Sequence, residues 1–378
     1  MIKPDGFPGP LPFFNRRSRV RRIFHLRNYR NPHQCLREMN RCGGRPIRVL
    51  PHLGMVIGEF YREDGLFSLE GHPDIAYWEP DLRVTITDPY VGEVSDRSAS
   101  LPWGVRQVEA PKIWRYTRGR GVKVAVVDTG IASDHPAVRK NYKGGVNILS
   151  PMFSPYDYNG HGTHVAGTVA GREEELGVVG VAPRVHLYAV KAFNRRGSAN
   201  LSDLLSAINW CIENKMQVIN MSFGMVKVSD TLRRAIHTAY QKGIVMVAAS
   251  GNQGTSGNVD FPARFFETMG VTATNRNGKL ASFSNTGEGV DLAAPGDKII
   301  SAWLNGSSKE MSGTSMAVPH VTGAAALLMF LKPDLNPNQI RHLLTRVNTP
   351  VIGGSGLTSL NAYRSVQMLA RYLGRLIP

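Results

Sequence analysis

Cysteine, acidic side chains and long apolar runs are all scarce in this chain. It has three cysteines in 378 residues. Cys35 and Cys42, in CLREMNRC, would sit roughly 10 Å apart along a helix, beyond the reach of a disulfide. Cys211 stands alone in INWCIENK. This pattern excludes a disulfide scaffold and a zinc-type cysteine cluster, and free thiols lean toward a reducing compartment. No run of about 18 apolar residues occurs, so no transmembrane helix and no membrane partner are expected. The opening MIKPDGFPGPLPFF lacks an apolar core and is broken by Pro4, Pro8, Pro10 and Pro12, unlike a signal peptide. The expected location is therefore the cytoplasm. Export by a non-standard route, or a true start upstream of Met1, is the alternative.

Asp and Glu number 29 against 45 Lys and Arg, for a net charge of +16. The excess gathers early: between Arg16 and Arg48 the acid Glu38 is alone among many arginines. Such a charge suits solubility, and it also suits an anionic partner. The arm carries no recognition motif, so nucleic acid is not an expected partner.

Residues 1–18 read as a proline-rich basic arm and 19–86 as a small α/β segment. Within it RRIFHLRNY reads as a strand, and NPHQCLREMNRCGG as a helix capped by Asn31 with Pro32 at its first position. RPIRVLPHLGMVIGEFY reads as paired strands, and HPDIAYWEPDLRVTI as a turn and one last strand. Residues 87–100 are polar and turn-rich, a linker. From 101 to 378 short apolar runs (VKVAVVDTG, VHLYAVKAF, MQVINMSFG, GIVMVAASGN) alternate with amphipathic helices such as SDLLSAINWCIENK and SDTLRRAIHTAYQKG. That alternation predicts an α/β domain with a mainly parallel sheet covered by helices on both faces.

In such sheets function collects beyond the carboxyl ends of the strands. Asp128 ends one strand and Asn252 follows another. In GTSMAVPHVTGAAALLMF, Ser315 opens a long apolar helix, where Pro319 is tolerable if it falls in the first turn. NGHGTHVAGTVAG holds His161 and His164 three apart. The two could form a metal pair, but no third ligand cluster accompanies them. A serine becomes a strong nucleophile when an imidazole takes its proton, and a carboxylate must hold that imidazole in one tautomer. One Asp, one His and one Ser at strand ends and helix starts could supply all three parts.

The segments VAVVDTGI, GHGTHVAGTVAG, INMSFG, AASGNQGTSG and GTSMAVPHVTGAAALL resemble the subtilisin-type serine proteases, in the same order, over about residues 101–365. The resemblance implies that Asp128 orients His161, that His161 is the general base and that Ser315 is the nucleophile. It implies an oxyanion hole from Asn252 and the Ser315 backbone N–H, with no cofactor for catalysis. His164 is left a packing role. The first specificity pocket would lie between Ser222, Phe223 and Gly224 on one side and Ala249, Ser250 and Gly251 on the other. With no acid in either segment, large apolar or neutral residues are the expected preference there. Extended substrate would pair with Ser198 and Ala199.

Residues 19–86 resemble the family's inhibitory propeptide, most clearly in HPDIAYWEPDLRV. That implies a self-processing zymogen, cut between Ile86 and Ser100 and inhibited by its own N-terminal segment. Its partners would be polypeptide substrates, and it would act as a monomer. The family's structural calcium site falls on Glu174, with carbonyls from Arg172, Leu176 and Val178; Ala137 stands where a calcium-binding Asp is usual. The alternative to an active enzyme is a non-catalytic binding protein on a protease scaffold with its propeptide permanently docked.

Overall fold

The computed structural model describes residues 19–27, 32–61, 64–86, 90–91, 101–173, 178–346, 349–354 and 356–374. The N-terminal arm and most of the linker lie outside them. Two compact units divide the chain between Asp81 and Leu82.

The first unit is a four-stranded antiparallel sheet in the order Gly44–Leu50, Met55–Phe60, Val20–Leu26, Ile75–Pro80. Its helix, His33–Arg41, starts one residue later than the sequence suggests, with Pro32 at the cap; Asn31 lies outside the described residues. Cys35 and Met39 turn inward from this helix onto Phe24, Val56 and Phe60. Gly58 makes room, since a Cβ there would lie 2.6 Å from Met39 Sδ. Part of the arginine excess is neutralised from outside the arginine-rich stretch: Arg19 and Arg45 meet the buried Glu59 at 3.0 and 3.3 Å.

The segment expected as one last strand is two. Ile75–Pro80 completes the small sheet, whereas Arg83–Thr85 belongs to the second unit and pairs antiparallel with Ser198–Asn200. Pro80 removes a ladder donor where the first strand ends. Tyr90–Val91 pairs with Ser308–Ser312.

The second unit is built on a nine-stranded sheet. From one edge the order is Thr349–Pro350, Thr358–Ser359, Val290–Pro295, Met269–Thr274, Val245–Ala249, Val218–Met221, Lys123–Asp128, His186–Lys191 and Tyr142–Asn147. Every pair is parallel except the first. Strands such as VAVVD are buried along almost their whole length, as expected of a sheet covered by helices on both faces. Thr314–Leu331 crosses the middle four of these strands and packs on His161–Ala170. This helix is long and apolar enough to span a membrane, at mean hydropathy 1.5, but 89% of it is buried inside the protein. It is a core helix.

Pro319 lies in the second turn of that helix, not the first, because the helix begins at Thr314. Its missing N–H would have bonded the carbonyl of Ser315. That carbonyl accepts the Ser222 hydroxyl instead, at 3.0 Å. The register aligns Lys191 with Asp128 and Met221 with Ala248, so the carboxyl ends of four adjacent strands open on one side.

Candidate active site

Asp128 is the last residue of its strand and is 1% exposed. Its Oδ1 accepts the Thr129 N–H at 2.7 Å, which fixes the carboxylate plane. His161 is the first residue of helix His161–Ala170. Its Nδ1 meets Asp128 Oδ1 at 2.8 Å and Oδ2 at 2.9 Å. With a carboxylate that accepts only, Nδ1 carries the proton and Nε2 is the basic nitrogen.

Two glycines permit this meeting. Gly160 adopts φ 106°, and a Cβ there would strike the Trp303 ring. A Cβ on Gly162 would lie 2.2 Å from the Gly130 carbonyl and 3.1 Å from Asp128 Cβ. The helix start is held by Asp157, which is fully buried. Its Oδ1 accepts from Asn159 and Gly160 N–H, and its Oδ2 from the N–H and hydroxyl of Thr163, all within 3.0 Å. The bond from Thr163 N–H satisfies a helix donor that has no partner within the helix. The DYNG turn before the helix could have revealed this role.

His164 is separated from His161 by its chemistry. Its Nε2 lies 3.0 Å from Ile299 O and 3.1 Å from Lys309 O, so it donates to both strands of one hairpin. Burial pushes it down to about 3, and the ring stays neutral.

Ser315 is the second residue of its helix and is fully buried. Its hydroxyl donates to the Ser222 carbonyl at 2.9 Å, while the Ser222 hydroxyl donates to the Ser315 carbonyl. Behind this exchange, Thr322 Oγ1 donates to Asn220 Oδ1 and Asn220 Nδ2 to Ser222 Oγ. The side-chain oxygen of Asn252 accepts the N–H and hydroxyl of Thr314, both at 2.8 Å. Its Nδ2 is buried and has no hydrogen-bond partner among the described residues. An amide with its oxygen tied down and its N–H group idle is prepared for an acceptor that arrives later.

Segments 222–224 and 249–251 continue two parallel neighbouring strands and lie side by side. Phe223 contributes backbone, for its ring packs on Phe193 in the core. Ser250 Oγ donates to Asn285 O, and Asn285 Oδ1 gathers Gln253 N, Thr255 N and Thr255 Oγ1. The two segments contain no acid, but a third one supplies it. Asp260 is 4% exposed and turns Oδ2 toward Gly224 and Gly251. No local pattern marks Asp260, because its place depends on how residues 258–262 cross between two strand ends.

At Ser198 and Ala199 an extended strand is already paired. Ala199 faces Val84, and Ile86 N donates to Gly197 O and Leu201 N to Leu82 O. Val84 and Ile86 are buried, while Arg83 and Thr85 are exposed.

Two of the four expected calcium ligands are among the described residues. Glu174 and Leu176 lie outside the described residues. Arg172 directs its guanidinium to Asn141 Oδ1, and Val178 packs with Ala137 and Ala302 in an apolar cluster. A divalent cation needs several oxygens including carboxylates. The side chains of Ala137 and Val178 supply none. Among the described residues no group of three His, Cys, Asp or Glu could hold a metal.

Comparison with known proteins accords with this geometry. An alkaline protease of Alkalihalobacillus alcalophilus is 42% identical over 300 residues, covering 78% of this chain and 75% of the relative. Subtilisin Savinase of Lederbergia lenta is 43% identical over 268 residues, covering 70% and 98%. Subtilisin E of Bacillus subtilis is 40% identical over 310 residues, covering 79% and 78%. This kinship points away from the cytoplasm and corrects the location expected from the N-terminus. The subtilase family matches residues 119–363, and the chain belongs to that family as a serine endopeptidase.

Proposed function

We propose that Asp128, His161 and Ser315 are its triad, with Asn252 and the Ser315 backbone N–H as the oxyanion hole. Ser315 Oγ attacks the scissile carbonyl carbon while His161 Nε2 takes the hydroxyl proton. The carbonyl oxygen becomes O⁻ and is held by Asn252 Nδ2. As the C–N bond breaks, the same proton passes to the leaving amine. Water then attacks the acyl-enzyme by the reverse route, and Ser315 regains its proton. In the resting state the Ser315 hydroxyl points to Ser222 O. Rotation about χ1 brings it to His161 when substrate arrives. The observation that carries this reading is the double approach of Asp128 to His161 Nδ1.

The N-terminal segment acts as an internal inhibitor in this reading. Arg83–Thr85 occupies the strand edge at Ser198–Asn200 that extended substrate would use. Cleavage between Ile86 and Ser100 frees the edge. Intact mass over time, with fluorophosphonate labelling, tests both parts. Wild type should shorten and label, and Ser315→Ala should do neither. A wild-type chain that never labels sinks the triad and leaves a binding protein. One that labels but keeps its full length sinks self-processing alone.

A further inference from the structure

The slot beside Ser315 has a floor that its two walls do not reveal. One wall touches the nucleophile, since Ser222 and Ser315 exchange two hydrogen bonds. The other touches the same helix start, where Gly251 N–H donates to Thr314 Oγ1 at 3.3 Å. Segment 258–262 ties the walls together. Asp260 N donates to Ser250 O at 2.9 Å, and Phe261 exchanges two backbone bonds of 2.8 Å with Met225. Asp260 thus stands where the slot ends. Its Oδ2 lies 2.6 Å from where a Cβ on Gly224 would be and 2.7 Å from where one on Gly251 would be. Glycine at both positions makes room for the carboxylate between the two walls.

Other buried carboxylates among the described residues meet at least one cation or donor, as Glu267 meets His237. Asp128 has His161, Asp157 has four donors, and Glu59 has Arg19 and Arg45. Asp260 is as buried as these, yet among the described residues no cation or hydrogen-bond donor meets its carboxylate. The nearby Arg264 lies over the Phe261 ring and reaches Glu288. A buried carboxylate without a partner is costly. Burial pushes Asp260 up to about 6, so it is still largely ionised at neutral pH. A charge kept in this condition calls for a cation from outside. Gln253 Oε1, held by Asn285 Nδ2, lies beside Gly251 and offers a second acceptor.

Resting on the catalytic reading above, we infer that Asp260 makes this slot the receptor for a lysine or arginine side chain on the acyl side of the scissile bond. A residue whose carbonyl carbon lies against Ser315 Oγ sends its side chain between Ser222–Gly224 and Ala249–Gly251. A long cationic side chain there reaches the carboxylate at the end. The neutral pocket expected from the walls alone is replaced by one with a single negative charge.

The test is kcat/KM on peptides that differ only at this position, with Arg, Lys, Phe or Leu, using the full chain after it has labelled with fluorophosphonate in a parallel sample. Arg and Lys should exceed Phe and Leu by at least about tenfold. Asp260→Asn should lower the Arg and Lys values about 100-fold relative to those of Phe and Leu. Benzamidine, an arginine-like cation that needs no variant, should inhibit wild type competitively. Preference for Phe or Leu in the wild type, a retained Arg preference in Asp260→Asn, or no inhibition by benzamidine would overturn the inference. If the chain labels and any of these holds, the triad stands and only the specificity reading fails. A chain that does not label loses both.

Discussion

Both carboxylate oxygens of Asp128 face Nδ1 of His161, with the two residues only 1% and 2% exposed. A carboxamide in place of the carboxylate can present its N–H to Nδ1 and drive the ring to the other tautomer. Asp128→Asn should then lower kcat by about 10⁴-fold with little change in KM. Single-turnover acylation is the direct readout. A loss below about tenfold would mean that the base is oriented by something else.

Asn252 Nδ2 has no resting partner among the described residues, so removing it should cost little until charge develops on the substrate oxygen. Asn252→Ala should lower kcat about 10²–10³-fold and move KM by no more than about threefold. Steady-state kinetics separates the two constants. An effect confined to KM would remove Asn252 from the oxyanion hole.

The strand Arg83–Thr85 holds its place partly through Val84, which is 2% exposed. Burying such a side chain contributes about 1.5–3 kcal/mol, equivalent to about 10–100-fold in occupancy. Val84→Asp in the full chain should therefore raise the rate of fluorophosphonate labelling of the uncut protein within that range. An unchanged rate would mean that this strand does not control access.

A slot that takes basic side chains also singles out a bond in the linker. Arg97 is the only Lys or Arg between Arg83 and Arg106. The matured chain should begin at Ser98, and Arg97→Gln should abolish that terminus. N-terminal sequencing of the product decides. A first residue other than Ser98 separates the processing bond from the slot's preference.

Three buried groups contribute to the acid stability, best measured by urea unfolding in the Ser315→Ala background to prevent self-digestion. His164 is pushed down to about 3 and His320 to about 4, both by burial. Below about pH 6.5 the unfolded chain takes up protons that these folded histidines refuse, so stability falls toward pH 4 by up to about 1.4 kcal/mol per unit for each. Asp260, raised to about 6, acts with the opposite sign between pH 6 and 4. Two histidines outweigh one aspartate, and a net loss is expected. Asp260→Asn should be more stable than its parent at pH 8, by up to about 3 kcal/mol, and equal to it below pH 4. Equal stability at pH 8 would show that the carboxylate carries no burial penalty.

Much of the site was legible because its parts stand on regular elements. A strand run that stops at Asp128, and an apolar helix with Ser315 in its first turn, can each be recognised from local pattern alone. What was not legible required knowing which distant segments touch. Asp260 acquires its place through its own bond to Ser250 and the bonds of its neighbour Phe261 to Met225, both outside segment 258–262. Glu59 draws Arg19 and Arg45 across a sheet, so the arginine-rich stretch looked more uncompensated than it is. Arg83–Thr85 is continuous in composition with Ile75–Pro80, yet it pairs with a strand more than 100 residues away. The calcium expectation turns on Glu174, which lies outside the described residues.

The proline in the serine helix has a further consequence. Replacing Pro319 with alanine would supply an N–H that competes with Ser222 for the Ser315 carbonyl. The helix would become more regular and the nucleophile would lose one of its two tethers to the neighbouring strand. A residue with no reactive atom, one turn away, thereby steers the reactive one: the gap it leaves in the backbone ladder acts as a mounting point for the serine.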